Sequence, residues 1–304
     1  MLICDQYLTP ASLDEAFAAM AEHHGRYRII AGATDTLPWA REGRAGDVEI
    51  PVLIDVSKIP ELNERHSDDK RVRLGAATPI QRFLDDATLV SAMPAMPRCA
   101  VWFADDQIRE SATIGGNIVN ASPAGDAIPP LIAHNAIVEL ASERDGTLNR
   151  RKLTLAEFIT GPGKTQLQAD ELLISITCDA LPGYGGSFEK VGHRRSLVIS
   201  LVCLAIAVKL DDSGRRFTDA RLAIGGVGPV PQRLDEVEIF LKAGPVTPQR
   251  LEQAADMPVD LVASRTRQAY RREVVRGFML RGLIDAVRSA GGETLSSTLE
   301  VAYA

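Results

Sequence analysis

The chain has 304 residues, 45% of them hydrophobic and 24% charged, enough to bury a substantial core and to form about two domains. Its 34 Lys and Arg against 40 Asp and Glu leave a net charge of −6, which disfavours DNA, RNA or an anionic membrane as the main partner. Met1 to Pro10 shows no basic segment leading into an apolar core, and the longest apolar run, Leu197 to Leu210, carries Ser200 and Lys209 and is too short to span a bilayer, so an acidic cytoplasmic protein is expected.

Ser12 followed by Glu15, with Leu13, Ala16, Phe17 and Met20 on one face, predicts a capped amphipathic helix ending near Gly25. Strands follow at 27–31, running into the turn Gly32-Ala33-Thr34-Asp35, and at 52–56, which together make a small α/β unit. The alternation in 72–76 predicts another strand, and helices are expected at 79–84 and 93–102. Ile137 to Leu140 and the pair Leu148 and Leu153 bracket Asp145-Gly146, a hairpin signal, and 172–177 is one more strand. The loop-rich passage 181–186 marks a second domain or a wide crossing between lobes. Beyond it, 197–210 and 220–225 read as strands, 248–255 and 266–290 as helices, and 291–304 as a loosely held tail.

Two segments have the composition of phosphate-binding loops. Ala31-Gly32-Ala33-Thr34-Asp35-Thr36 offers successive backbone N–H groups after a strand, a nest that binds anions without a cationic side chain; alone, it is equally a tight turn. Thr113-Ile114-Gly115-Gly116-Asn117 reads as the stronger of the two, because its glycines allow close approach of ligand to backbone and Asn117, Asn120 and Ser122 add short polar groups. In the plainer alternative Gly115-Gly116 only bends the chain and Asp126 caps a helix begun by Pro129.

The order and spacing of 31–35, of Gln107-Ile108-Arg109 leading into 113–117, of Ala121-Ser122-Pro123 with Asp126, and of 161–165 followed by Asp170-Glu171-Leu172-Leu173 resemble the FAD-binding subunits of molybdenum-containing hydroxylases over nearly the whole chain. The resemblance implies an α+β fold: a PCMH-type FAD-binding domain at 1–178, of two α/β subdomains at about 1–57 and 58–178, then a C-terminal domain at 179–290 of an antiparallel sheet with packed helices, and a flexible tail at 291–304. It implies that 31–36 and 113–117 hold the FAD pyrophosphate, with Ser122 nearby, and that Asp126 lies on the adenosine side. It further implies that Phe103 and Leu173 line the flavin and that Lys190 sits by the isoalloxazine where an acceptor approaches. Without the resemblance, Phe103 and Leu173 read as core and Lys190 as a solvated strand-end charge. Two departures stand out. Ala33 replaces the second of two consecutive glycines, harmless if its φ is negative, and Glu110 replaces a neutral residue and is expected to point away from the pyrophosphate.

No hydrolase, metalloprotease or metal-ligand pattern is present, and 161–165 fails the P-loop spacing because position 158 is Phe. Cys4, Cys99, Cys178 and Cys203 have no Cys-x-x-Cys spacing, so no iron–sulfur centre or zinc knuckle is built by this chain alone. A flavin carries its own redox chemistry and asks the protein for binding and orientation. The resemblance therefore implies an electron-transfer subunit, with a molybdenum cofactor in a large partner, iron–sulfur clusters in a small one, NAD or oxygen as acceptor, and a heterohexamer. The alternatives are a self-contained flavin oxidase of the vanillyl-alcohol oxidase type, for which no acid–base set is evident, and a nonenzymatic assembly factor. Arg265, Arg267, Arg271, Arg272 and Arg276 read as an ordinary solvated helix face in preference to a docking face.

Overall fold

A computed structural model describes residues 1–194, 197–262 and 266–292. The fold is α+β, with three main sheets stacked along the chain. The first is parallel, Val52–Asp55 lying between Gln6–Leu8 and Tyr27–Ile30. The helix Leu13–Glu22 packs Leu13, Ala16, Phe17 and Met20 inward, and the Ser12 hydroxyl accepts the Glu15 N–H, as the capping pattern predicts. The second sheet is antiparallel, in the order Arg65–Ser67, Arg71–Gly75, Leu172–Asp179, Ile137–Arg144, Thr147–Thr154. Its hairpin turns at Asp145 (φ 53°) and Gly146 (φ 71°), the paired left-handed conformation that an Asp-Gly turn supplies. One cluster of buried apolar side chains, including Phe17, Ile54, Leu74, Ile118, Phe158 and Ile176, runs through both sheets.

The third sheet is antiparallel, in the order Gly185–Val191, Val202–Leu210, Phe217–Gly225, Gln232–Arg233, and packs its own apolar cluster against the 22-residue helix Gln268–Ser289. Gly185 and Gly186, expected in a loop, are strand residues. A Cβ on Gly185 would lie 2.0 Å from the Ala286 carbonyl oxygen and one on Gly186 2.3 Å from the Pro94 backbone carbon, so the strand passes hard against the long helix on one side and the first lobe on the other. The strand expected from residue 197 begins at 202, because Leu197 turns with φ 50° and the chain crosses the mouth of a cleft before entering the sheet. Of 79–84 only Arg82–Asp85 is helical, Pro79 being bridged to Thr113, and the helix Asp235–Lys242 was not foreseen. The arginine row is not uniformly solvated: Arg271 is buried and donates to the carbonyls of Thr266 (3.0 Å), Gly226 (2.9 Å) and Leu201. Arg276 pairs with Asp256 at 2.5 Å, whereas Arg265 and the tail beyond 292 lie outside the described residues. No helix among the described residues is long and apolar enough to cross a membrane.

The lobes are clasped at Asp179, the last residue of its strand. Its carboxylate accepts from Arg221 and Asn135, both at 2.7 Å, and from Arg71. Although burial opposes ionisation, the Arg221 and Asn135 hydrogen bonds and the two guanidinium charges hold this carboxyl below its usual range. Arg233 donates to the carbonyls of Ile132 (3.0 Å) and Ala133 (3.3 Å), the C-terminal end of the helix Ile128–Ala133, where a cation is favoured. His134, fully buried beside them, faces Asp179, Arg221 and Arg233; its Nδ1 donates to the Asp179 carbonyl at 2.8 Å and its Nε2 has no partner among the described residues. Burial pushes its pKa down from 6.5 to about 4. A base with a depressed folded pKa favours folding above its unfolded pKa and loses that contribution as pH falls, so stability in urea should drop between pH 6.5 and 4. The drop should reach about 3 kcal/mol, and His134→Gln should flatten that part of the pH profile.

Candidate functional site: a cleft between the lobes

A cleft of about 890 Å³ lies where the first strand-to-helix turn, the helix Ile114–Asn120, residues 122–126 and the edge of the third sheet converge. That volume is within the range of small-molecule and cofactor sites. Of the residues singled out in the sequence, Ala31, Gly32, Ala33, Thr34, Asp35, Thr36, Phe103, Thr113, Gly116, Asn117, Ser122, Asp126 and Lys190 line it.

The two loops differ in a way opposite to their apparent strength in the sequence. The N–H groups of Gly32, Ala33, Thr34, Asp35 and Thr36 have no acceptor among the described residues, which leaves five successive donors at the cleft. Gly32 is obligatory there, since a Cβ would lie 1.9 Å from the Ser111 carbonyl oxygen. Ala33 has φ 52°, the left-handed region, so the condition that would have made it harmless is not met and the turn carries strain. Asp35 precedes the helix Thr36–Arg41 without capping it, and burial pushes its carboxyl up.

Residues 113–117, expected as a glycine-rich loop open to close approach of a ligand, instead begin a helix. Thr113 caps it, its hydroxyl accepting the Gly116 N–H at 3.0 Å, while the N–H groups of Ile114, Gly115 and Asn117 donate to Thr78, Ala76 and Thr113 carbonyls. Ile114 turns inward and is fully buried. Gly115 serves close packing, a Cβ there lying 2.6 Å from the Ala76 carbonyl oxygen. Neither lines the cleft. Leu173 also stands apart, lining with Gly115, Gly116 and Ala31 an apolar cavity of about 120 Å³ behind the nest. What the second segment brings to the cleft is side chains: the Asn117 Oδ1 is buried without a partner among the described residues, and Asn120 lies alongside.

At one end of the cleft Phe103 is held by Arg109, whose Nη1 donates to the Phe103 carbonyl at 3.2 Å and whose Nε donates to Gln81 Oε1 at 3.0 Å. Glu110, next in sequence, is exposed and paired with Arg82 at 3.3 Å, outside the cleft lining. Asp126 and Lys190, expected at opposite ends of a dinucleotide, form one ion pair at 2.5 Å, and Lys190 also donates to the carbonyl of Trp102, the neighbour of Phe103, at 3.2 Å. Two groups in contact share one part of the cleft, beside Trp102 and Phe103. Asp126 caps no helix, because its second oxygen accepts from Ser200 Oγ at 2.6 Å and the helix Ile128–Ala133 starts without a side-chain cap. Burial pushes this carboxyl up, and the Lys190 charge and the hydrogen bonds from Lys190 and Ser200 oppose that. Elsewhere in the lining Trp39 lies under the Arg44 guanidinium, 4.2 Å from ring centroid to carbon. Sequence reasoning missed Trp39, Arg44 and the rim residues Arg194, Leu197, Val198 and Ile199; an isolated aromatic four residues past Asp35 was the available signal.

Two family models match the chain: an FAD binding domain in molybdopterin dehydrogenase over residues 4–178, and a CO dehydrogenase flavoprotein C-terminal domain over 187–286. The chain is 28% identical to the nicotinate dehydrogenase FAD-subunit of Eubacterium barkeri, covering 94% of this chain and 97% of that protein. It is 32% identical to the glyceraldehyde dehydrogenase medium chain of Sulfolobus acidocaldarius, over 76% and 79% respectively. In fold it is similar to carbon monoxide dehydrogenase from Hydrogenophaga pseudoflava, with a TM-score of 0.84 and 24% identity over 95% of this chain and 99% of that one.

The strained turn yields a direct test. Ala33→Gly should relieve the left-handed penalty and raise the unfolding free energy by about 0.5–1 kcal/mol, net of the greater freedom of glycine in the unfolded chain, as read from the urea midpoint at unchanged slope.

Proposed function

The chain belongs to the family of FAD-binding domains of molybdopterin dehydrogenases, and from that membership we propose that it is the flavoprotein subunit of a molybdenum hydroxylase, holding FAD in the inter-lobe cleft and passing electrons from a partner's iron–sulfur clusters to an acceptor. The observation that carries this is the row of five unpaired backbone donors from Gly32 to Thr36 facing the cleft. A pyrophosphate satisfies several such donors at once without a cationic side chain. The unpartnered Asn117 Oδ1 adds an acceptor for a hydroxyl or amino group, so the residues present fit the cofactor.

Bound FAD supplies the redox chemistry, accepting electrons and delivering them onward. The protein does the rest. The nest fixes the phosphates; we assign Phe103, which offers a ring face, and Lys190, which offers an N–H donor, to the isoalloxazine, and Trp39 with Arg44 to a stacking surface for the adenine. We assign FAD binding to residues 1–178 and place the C-terminal flavoprotein domain at 179–290. The proposed assembly is a heterohexamer with a small iron–sulfur subunit and a large molybdopterin-binding subunit in the cytoplasm, using NAD or oxygen as acceptor. Among the described residues no cluster of metal ligands exists. Glu110, turned out to Arg82, places no repulsive charge on the phosphates, which removes one ground for reading the chain as a degenerate assembly factor.

Purified protein should release FAD on acid treatment in an amount equimolar with the chain, identified by mass. Gly116→Val, which adds a branched side chain to the exposed glycine in the cleft wall, should weaken FAD binding by about tenfold or more at unchanged helix content, since a clash there removes at least one well-made ligand contact. A colourless protein that takes up no added FAD would overturn the proposal.

A further inference from the structure

We propose that Ser200 is a positioning residue: its hydroxyl locks the Asp126 carboxylate onto the Lys190 ammonium and thereby fixes the cation that meets the flavin beside Phe103. The assignment rests on FAD occupying the cleft as proposed above.

Lys190 and Ser200 come from one hairpin of the third sheet. Lys190 lies near the end of Gly185–Val191, Ser200 just before Val202–Leu210, and the two strands are tied by the Leu201 N–H to the Val191 carbonyl at 2.8 Å. Asp126 comes from the other lobe and reaches into that hairpin, where each carboxylate oxygen takes one donor: Lys190 Nζ at 2.5 Å and Ser200 Oγ at 2.6 Å. Lys190 is 4% exposed at its side chain, yet it lines the cleft. Of its three N–H bonds, one goes to Asp126 and one to the Trp102 carbonyl at 3.2 Å, and the third has no partner among the described residues. An ammonium spared so for the cleft keeps its aim only while its counter-ion is immobile. A carboxylate held by one donor swings about its terminal torsion, whereas one held by both oxygens does not. Ser200 supplies the second hold.

Among the described residues, the charged and titratable groups facing Asp126 are Lys190, from the strand Gly185–Val191, and two thiols. Cys99, on the helix Met96–Trp102, donates to the Asp126 carbonyl at 3.3 Å; Cys203 lies opposite Lys190 in the sheet. Burial pushes both thiols up, so they stay neutral, and the pair Asp126–Lys190 is the local charge system. With Asp126 ionised the pair is neutral overall. Once Asp126 takes a proton, an uncompensated ammonium remains beside the flavin and reduction becomes easier. The midpoint potential of the bound flavin should therefore change slope with pH where Asp126 titrates, and the Ser200 hydroxyl, a donor to the ionised form, sets where that break falls.

The test uses the purified FAD-loaded protein, with FAD occupancy measured first and the flavin midpoint potential then followed against pH by dye equilibration. Ser200→Ala should move the break upward by about one pH unit, the size of one charge-assisted hydrogen bond. It should also alter the reduction equilibrium above the break by about three- to tenfold, which is roughly 15–30 mV for a two-electron couple. Ser200→Thr, which keeps the hydroxyl, should restore the native profile, and Ser200→Cys, a poor donor of similar size, should behave like Ser200→Ala, covering the case in which one variant folds badly. A Ser200→Ala protein that holds FAD and keeps the native potential and break overturns this assignment alone. Native protein that binds no FAD overturns the cofactor site and this assignment together.

Discussion

Five successive backbone N–H groups without protein acceptors, in a half-buried turn at the cleft, are the constraint around which the first lobe is arranged. Most backbone donors in a folded chain are paired within it, so a row of five left to solvent or ligand is unusual. Here the arrangement is held from two sides. Gly32 sits against the Ser111 carbonyl with no room for a Cβ, and Ala33 takes a left-handed φ that lets the chain turn into the helix Thr36–Arg41 while its N–H groups stay at the cleft. Strain and unpaired donors in one turn are what a bound anion would compensate.

The second constraint is that the cleft has walls from both lobes, so its geometry depends on how the lobes are docked. Two polar clasps do this on different sides. At Asp179, Arg71 and Arg221 from separate sheets meet one carboxylate. At Asp126, a carboxylate from the first lobe meets Lys190 and Ser200 from the third sheet. A carboxylate this buried is tolerated because every oxygen has a donor and the cation is in contact, while removing either partner would leave a charge stranded. A close backbone contact between Gly186 and Pro94 completes the docking, while Gly185 packs against the long helix of its own lobe, which is why a glycine pair that looks like a loop lies in a strand.

Elements with strong local rules were legible in the sequence. The Ser12 cap, the Asp145-Gly146 turn and the buried strands 52–55 and 172–179 each follow from spacing and turn chemistry within a short window. What the sequence does not show depends on partners distant in it. Nothing local to Gly115 shows that Ala76 lies against it. The buried faces of Ile114 and Leu173 are set by helix and strand packing, and Leu173 lines the small cavity adjoining the cleft instead of the cleft itself. Trp39 was invisible because its six-residue helix has no periodicity to read, and Arg44, which covers its ring, lies past the end of that helix.

The ranking of the two loops inverted for a related reason. A glycine-rich segment advertises conformational freedom, but freedom does not tell whether its donors remain available. Residues 113–117 spend theirs on a helix cap and on the carbonyls of Ala76, Thr78 and Thr113, which anchors the helix Ile114–Asn120 to the second sheet and makes it a rigid wall. The segment 31–36, with one glycine fewer, keeps its donors free because the strand ends at Ile30 and the next helix takes no side-chain cap. Composition therefore locates both walls of the cleft, and the hydrogen bonds separate them: 32–36 present backbone donors, while 113–117 form a rigid wall that presents the Asn117 side chain.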